Sequence, residues 1–258
     1  VHVDYGTAVT IGRSEKMSKS KKNTVDPAHI IETYGADAAR LFMLSDSPPE
    51  RDMEWTDSGI EGAWRYLNRL WRLTSETRDN KTSETEADGG DLPPLADLDD
   101  AAASLVKASH KAMADVTAAL EEFRYNASVA YIREFSNTLA DSKTAGPARH
   151  FALVTLARLA NPLMPHITEE MWHALGGEGL LADQPWPEHD PALLVQDTVT
   201  LAVQVNGKMR GTIEVAADAD KEACEQVALE LPTVQAQMEG KQVRKVMVIP
   251  GKIVNVVV

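Results

Sequence analysis

Thr10-Ile11-Gly12-Arg13-Ser14-Glu15-Lys16-Met17-Ser18-Lys19-Ser20-Lys21-Lys22-Asn23-Thr24-Val25-Asp26-Pro27 is the stretch on which the reading of this chain turns. Residues 13–24 are polar and basic and are bounded by Gly12 and by Asp26-Pro27, so they read as a loop. Upstream, Val1–Asp4 and Ala8–Ile11 read as short strands. Downstream, Asp26 offers an N-cap and Pro27 a first helical residue, so a helix is predicted to Tyr34, stopped by Gly35. The loop therefore sits between a strand and a capped helix. Lys16, Lys19, Lys21 and Lys22 place several ammonium groups in it. An ammonium is a compact charge with rotatable donors, suited to phosphate oxygens that move.

Helices dominate the chain from Pro27 to Gly176. Asp37 is predicted to cap a second helix through Leu44, which Ser47-Pro48-Pro49 breaks. A long helix is predicted from Asp57 to Ser75, with Ile60, Trp64, Leu67 and Trp71 at spacings of 4, 3 and 4 in one apolar stripe. That stripe predicts both tryptophans as core residues. Helical stretches over 98–122, 127–141 and 147–160 carry apolar residues at mostly helical spacing, and a shorter one over 167–175 ends at Gly176. Short connections between such helices predict an antiparallel bundle. Residues 177–195 hold Pro185, Trp186, Pro187 and Pro191 and read as a linker. Beyond it the period changes to two. Val199, Leu201, Val203 and Val205 alternate with polar or small residues, and Asn206-Gly207 signals a hairpin. A returning strand (209–215), a helix (220–230), a short helix before Gly240 and two strands around Pro250-Gly251 complete a small α+β domain.

The chain has 258 residues, 43% of them hydrophobic and 25% charged, so it can bury a core. No apolar run reaches the roughly 18 residues of a membrane helix, and the N-terminus shows no signal pattern. The expected setting is cytoplasmic, with no membrane partner. Cys224 is the lone cysteine, which excludes an internal disulfide and any zinc site built on two cysteines. It reads as a small residue on an amphipathic helix. His166 and His173 lie seven apart near a helix start and lack further ligands, so no metal site is predicted. The net charge of −13 argues against a nucleic-acid partner at first sight, but nine carboxylates and only two bases lie between Ser75 and Asp100. The acidity is concentrated there, and the charge that a nucleic acid meets is a local one. The first residue is Val1, so the chain is expected to be a fragment or a processed product.

These motifs resemble a known family. The segment from Thr10 to Pro27 is similar to the signature loop of bacterial-type leucyl-tRNA synthetases, class I aminoacyl-tRNA synthetases. So are Tyr34-Gly35-Ala36-Asp37 through Arg40-Leu41-Phe42-Met43, and Ser47-Pro48-Pro49 with Glu54-Trp55 and Gly59-Ile60-Glu61-Gly62. Asn161-Pro162-Leu163-Met164-Pro165-His166-Ile167-Thr168-Glu169-Glu170-Met171-Trp172 resembles the bundle shared by the leucyl, isoleucyl, valyl and methionyl enzymes. Gln204-Val205-Asn206-Gly207-Lys208-Met209-Arg210-Gly211 and the segment from Val243 to Val256 look like the small C-terminal domain of the leucyl enzymes. The resemblance implies a multidomain, mainly α chain. Residues 1–58 would be the edge of a catalytic domain with the signature loop. Residues 59–190 would be a bundle of the anticodon-binding type with an acidic linker at 76–97, and residues 196–258 a C-terminal α+β tRNA-binding domain.

By the same resemblance, Lys16, Met17, Ser18, Lys19 and Ser20 handle ATP, Lys19 as the main contact and Lys16 as its partner, with Mg2+ accompanying the nucleotide and no metal bound by this chain. Activation of an amino acid expels pyrophosphate, and cations that close on the leaving group as its charge builds lower the barrier. The expected partners are tRNA(Leu) and the N-terminal catalytic and editing portions of the same enzyme, working as a monomer. His-x-Gly-His, the other class I signature, is not in the sequence, so the chain alone is expected to be inactive. Arg65, Arg69 and Arg72, at spacings of 4 and 3, share one face of the long helix. They read either as phosphate contacts or as a solvated face, with Glu61 four residues before Arg65. Lys208, Arg210, Lys241, Arg244, Lys245 and Lys252 are the tRNA candidates of the tail. Other readings are a non-catalytic tRNA-binding module, the small subunit of a split ligase, or a valyl or isoleucyl relative.

Overall fold

The computed structural model describes residues 6, 15–45, 48, 51–79, 92–194, 198–216, 219–238, 243–249 and 252–258. The chain divides into two compact units, Val1–Asp190 and Pro191–Val258. The strands expected at Val1–Asp4 and Ala8–Ile11 lie outside the described residues, as do residues 80–91 of the acidic linker.

The first unit is a helical bundle. Helix α1 (Pro27–Tyr34) begins where Asp26 accepts from the Ala28 N–H at 3.0 Å, with proline in the first turn. It ends at Gly35, whose φ of 86° suits a residue without Cβ. Helix α2 (Ala36–Ser45) starts at the next residue. Helix α3 (Asp57–Asp79) runs four residues beyond the expected Ser75. Then come α4 (Asp100–Glu121), capped by Asp99 on the Ala102 N–H at 2.7 Å, α5 (Tyr125–Asp141), α6 (Gly146–Ala160) and α7 (Pro165–Ala174). Helix α4 packs on α5 and α6, α2 on α3 and α5, and α7 on α6 and α3. One core joins them, filled by Ile60, Leu70, Val116, Ile132, Leu153 and Met171 among others. The fold class is therefore as expected, a helical bundle followed by a small α+β unit.

Two expectations need correction here. The buried face of α3 is Ile60, Ala63, Tyr66, Leu67, Leu70, Leu73 and Thr74, not the tryptophan stripe. Trp64 is 44% exposed, and Trp71 only packs against the core's edge. A 4-3-4 stripe fits a helix rotated by one residue as well as the true seam does. The small Ala63 is the one that faces inward. Asp37 lies inside the first turn of α2, so it does not cap that helix. It is buried, and its carboxylate reaches α7, accepting from the Ile167 N–H at 2.7 Å and pairing with His166 Nδ1 at 2.8 Å. Met164 stands at the N-cap of α7 with no side chain able to cap it, so Asp37 supplies the cap from another helix.

The second unit is a four-stranded sheet with two helices. Strands β1 (Thr198–Val205) and β2 (Lys208–Ala216) form the expected hairpin, with Asn206 at φ 50° and Gly207 at φ 77°. Both positions need positive φ, which is why Asn-Gly announces the turn. The register shifts between Val203 and Gln204. Helices α8 (Lys221–Glu230), capped by Asp220, and α9 (Pro232–Met238) lead to β3 (Lys245–Ile249) and β4 (Ile253–Val257). The sheet order is β2-β1-β4-β3, with β1 and β4 parallel and the other pairs antiparallel. Leu201, Val203, Val205, Ile213, Val254 and Val256 alternate inward and meet Cys224 and Ala228 of α8. Cys224 is buried, a packing residue as its position on the helix suggested.

Candidate functional site

The signature loop is a short structured turn. Ser18 is extended at φ −153°, and Lys19–Lys21 form one 3-10 turn, with the Lys21 N–H donating to the Ser18 carbonyl at 3.1 Å. Ser18 Oγ accepts from the same N–H at 3.3 Å and lies 3.2 Å from Ser20 Oγ. Lys22 closes the turn in the left-handed region at φ 53°. Lys21 pairs with Glu15 at 2.6 Å. Lys16, Lys19 and Lys22 are exposed and have no carboxylate partner among the described residues. The two lysines singled out for chemistry, Lys16 and Lys19, thus both reach solvent. The side chain of Asn23, whose role no sequence pattern announces, accepts from the Ser18 N–H at 2.8 Å.

On α3, Arg65 and Arg72 are exposed and Arg69 is half-buried. Arg65 reaches Glu61 at 3.4 Å, a pair open to solvent on both sides and worth little. Next to this face is an open hollow of about 570 Å³ lined by Ile31, Tyr34, Trp64, Trp71, His166 and Glu170, among others. Inside the bundle, burial pushes the Tyr66 hydroxyl above its usual range, against the hydrogen bond to Ser136 and the charges of Arg133 and Arg69, which lower it. Arg133 sits 4.8 Å from the centre of the Tyr66 ring. His173 Nδ1 meets the Gly177 carbonyl at 3.3 Å, so both histidines of α7 have structural partners. Among the described residues no group of three or more His, Cys, Asp or Glu side chains could hold a metal.

In the second unit the sheet sorts the basic residues. Lys208 pairs with Val205 at the end of β1, and Lys245 pairs with Val257 at the end of β4. The Arg244 N–H donates to the Val257 carbonyl at 2.8 Å. Lys208, Arg244 and Lys245 therefore gather at one end of the sheet, all exposed. Arg210 is half-buried further along β2, and Lys252 lies at the opposite end, just before β4. Lys241 is outside the described residues.

Two family models match the chain, and the second of them runs across the boundary between the two units. Residues 6–56 match the family described as tRNA synthetases class I (I, L, M and V), and residues 103–226 match the anticodon-binding domain of tRNA ligase. A leucine–tRNA ligase of Rhodospirillum rubrum is 59% identical over 257 residues, 98% of this chain and 29% of that protein. One from Paramagnetospirillum magneticum is 56% identical, over all of this chain and again 29% of the relative. The chain thus spans less than a third of the length of the curated relatives it matches. Among solved structures, a LeuRS of Agrobacterium radiobacter, in a ternary complex with tRNA and LeuAMS, superposes with a TM-score of 0.72 at 29% identity, covering 94% of this chain and 31% of that one. No helix among the described residues is long and apolar enough to cross a membrane.

Proposed function

We propose, from the premise that this chain belongs to the leucine-type class I aminoacyl-tRNA synthetases, that it is the C-terminal part of a leucine–tRNA ligase and supplies two things to it. One is the loop that closes on ATP; the other is a body that holds tRNA(Leu). One observation carries this reading. The likeness to leucine–tRNA ligases runs through loop, bundle and small unit alike, over 98% of the chain.

In the activation step the leucine carboxylate attacks the α-phosphate of ATP and pyrophosphate leaves. Lys19 and Lys16 donate to oxygens on which negative charge accumulates, and Ser18 and Ser20 supply hydroxyl hydrogen bonds. Cations that approach only as that charge builds raise the rate rather than merely tightening ground-state binding. Mg2+ would travel with the nucleotide phosphates. Among the described residues no group of three or more His, Cys, Asp or Glu side chains could hold it apart from the nucleotide. The tRNA contacts would be to backbone phosphates, from Arg65, Arg69 and Arg72 of the bundle and from Lys208, Arg210, Lys241, Arg244, Lys245 and Lys252 of the tail, which positions RNA without reading sequence. The N-terminal catalytic and editing portions would complete a monomeric cytoplasmic enzyme.

The test is complementation. The 258-residue chain alone should give no leucine-dependent ATP–pyrophosphate exchange and should bind tRNA(Leu) with an affinity that falls steeply with salt. Joined to the N-terminal portion of such an enzyme it should restore charging. tRNA binding without restored charging would favour a non-catalytic module, and salt-independent binding would count against the RNA-binding role.

A further inference from the structure

The signature loop keeps its shape through bonds of two kinds. Most are local: the Lys21 and Lys22 N–H groups reach back three residues to the Ser18 and Lys19 carbonyls. These fix the turn at residues 18–22 and say nothing about where Lys16 points. The Lys21–Glu15 pair spans the loop, but both side chains are more than half exposed, so its hold is weak. The remaining bonds across the loop come from Asn23. Its Oδ1 accepts from the Ser18 N–H at 2.8 Å, and its Nδ2 donates to the Lys16 carbonyl at 3.5 Å.

Those two groups flank Met17. A residue in a parallel strand bonds its neighbour in this way, to the carbonyl before and the N–H after one facing residue. The side-chain amide of Asn23 therefore imitates a strand backbone and fixes the two peptides between Lys16 and Ser18. Asparagine is suited to this because one planar group carries an acceptor and a donor. The amide orientation is determined as well, since a flipped amide would set its NH2 against the Ser18 N–H. Lys16 is thereby tied to the turn that carries Lys19. The backbone at the two lysines is held in one frame while their ammonium groups stay free.

We propose that Asn23 is a positioning residue for amino-acid activation: it presets the loop backbone so that Lys16 and Lys19 reach the departing pyrophosphate together. This rests on the ligase reading above. Without the clasp the fraction of loop in the competent shape falls by about tenfold, the scale of one or two hydrogen bonds. The lysines act mainly as charge develops, so the loss falls on kcat and hardly on the KM for ATP.

Two measurements test this. In the 258-residue chain, trypsin should cut after Lys16 and Lys19 severalfold faster in Asn23→Ala than in the parent. Asn23→Asp, which keeps the acceptor for the Ser18 N–H, should fall between them, and Thr24→Ala should match the parent. In the full-length enzyme that contains this chain, Asn23→Ala should lower kcat for leucine-dependent ATP–pyrophosphate exchange by about tenfold with the KM for ATP within about twofold, and Asn23→Asp should recover part of the loss. Unchanged trypsin rates in Asn23→Ala would overturn the clasp. A raised KM for ATP with kcat intact would overturn the positioning role, because it would mean ground-state binding only. Absence of leucine-dependent exchange in the unsubstituted full-length enzyme would instead sink the ligase reading, and the trypsin comparison would still decide whether Asn23 holds the loop.

Discussion

Replacing Asp37 by alanine removes the side chain that caps α7. The Asp37 carboxylate is buried and accepts from the Ile167 N–H at 2.7 Å, the bond an N-cap residue would make. Met164 stands at the cap position and makes no such bond. Loss of a cap costs about 1–2 kcal/mol, and an N–H left without its charged acceptor adds to that. The hollow beside Asp37 admits water to the vacated site, which limits the total to about 2–3 kcal/mol. The pairing with His166 adds little, because that side chain is 74% exposed. All five tryptophans, Trp55, Trp64, Trp71, Trp172 and Trp186, belong to the first unit, so tryptophan fluorescence reports its unfolding alone. With a urea m-value of about 2.5 kcal/mol/M, the midpoint should fall by about 1 M. Asp37→Asn keeps one acceptor and should lose about half as much; His166→Ala should move the midpoint by less than about 0.2 M. An Asp37→Ala midpoint within about 0.3 M of the parent, or a His166→Ala loss as large as that of Asp37→Ala, would refute the capping argument.

Other substitutions probe the loop and the bundle core. In the full-length enzyme, Lys19→Ala should lower leucine activation by on the order of 10²–10³, as for loss of one transition-state donor; unchanged exchange kinetics would remove Lys19 from the mechanism. Trp64→Ala should cost less than about 1 kcal/mol in urea unfolding, whereas Leu70→Ala, fully buried on the same helix, should cost about 2–5 kcal/mol; equal losses would mean that Trp64 is a core residue after all. Burial raises the folded-state pKa of Tyr66 above its ordinary 10.0, so the folded state favours the neutral phenol. That contribution is whole below pH 10.0 and is lost as pH rises through the folded value. Tyr66→Phe should cost about 1 kcal/mol at neutral pH through the Ser136 hydrogen bond, yet show a smaller drop in urea midpoint than the parent between about pH 9 and 11; parallel alkaline declines would contradict this.

What the sequence disclosed, and what it hid, divides by the range of the interactions. Asp26-Pro27 marked the start of α1 and Asn206-Gly207 the β1–β2 hairpin, because a cap and a positive-φ turn are decided within about four residues. The lysines of the loop were legible for the same reason. Trp64 and Asp37 were misread because their neighbours are distant in sequence. Spacing along α3 could not say which of two overlapping stripes turned inward. The choice rests on Ala63, with 2% exposure, being the residue that fits against the bundle. An acidic residue after Gly35 has the look of a local cap; its true partner is 130 residues away, at a helix whose own cap position holds Met164. The missing capping residue before Pro165 was itself a readable signal that some other group must serve there. Asn23 went unassigned because its role depends on a turn that brings residue 23 back beside residue 16.

These long-range ties bear on how the loop can move. Val25, directly after it, packs on the bundle core, and Asp26 starts α1. Helix α2 is then bound to the far end of the bundle sequence. Asp37 caps α7, and Arg40 donates from Nε to the Leu163 carbonyl at 3.1 Å and from Nη2 to the Pro162 carbonyl at 2.8 Å. Phe42 sits edge-on to Trp55, 4.9 Å between ring centres, and so close to α3 that a Cβ on Gly59 would come within 2.3 Å of its ring. The carbonyls before α7 are available to Arg40 because Asn161–Met164 lies between two helices and Pro165 begins the second without an N–H to satisfy. A frame tied at this many points does not flex independently of the bundle. Movement of Lys16 and Lys19 relative to α1 must then arise within residues 15–24. There the backbone has one left-handed residue, Lys22, and one side chain, Asn23, that bridges from the end of the loop to its first lysine. If the loop closes on ATP, the end joined to α1 and the bundle stays fixed and the two lysines travel. A body that grips tRNA through the same bundle would hold that fixed end in register with the RNA.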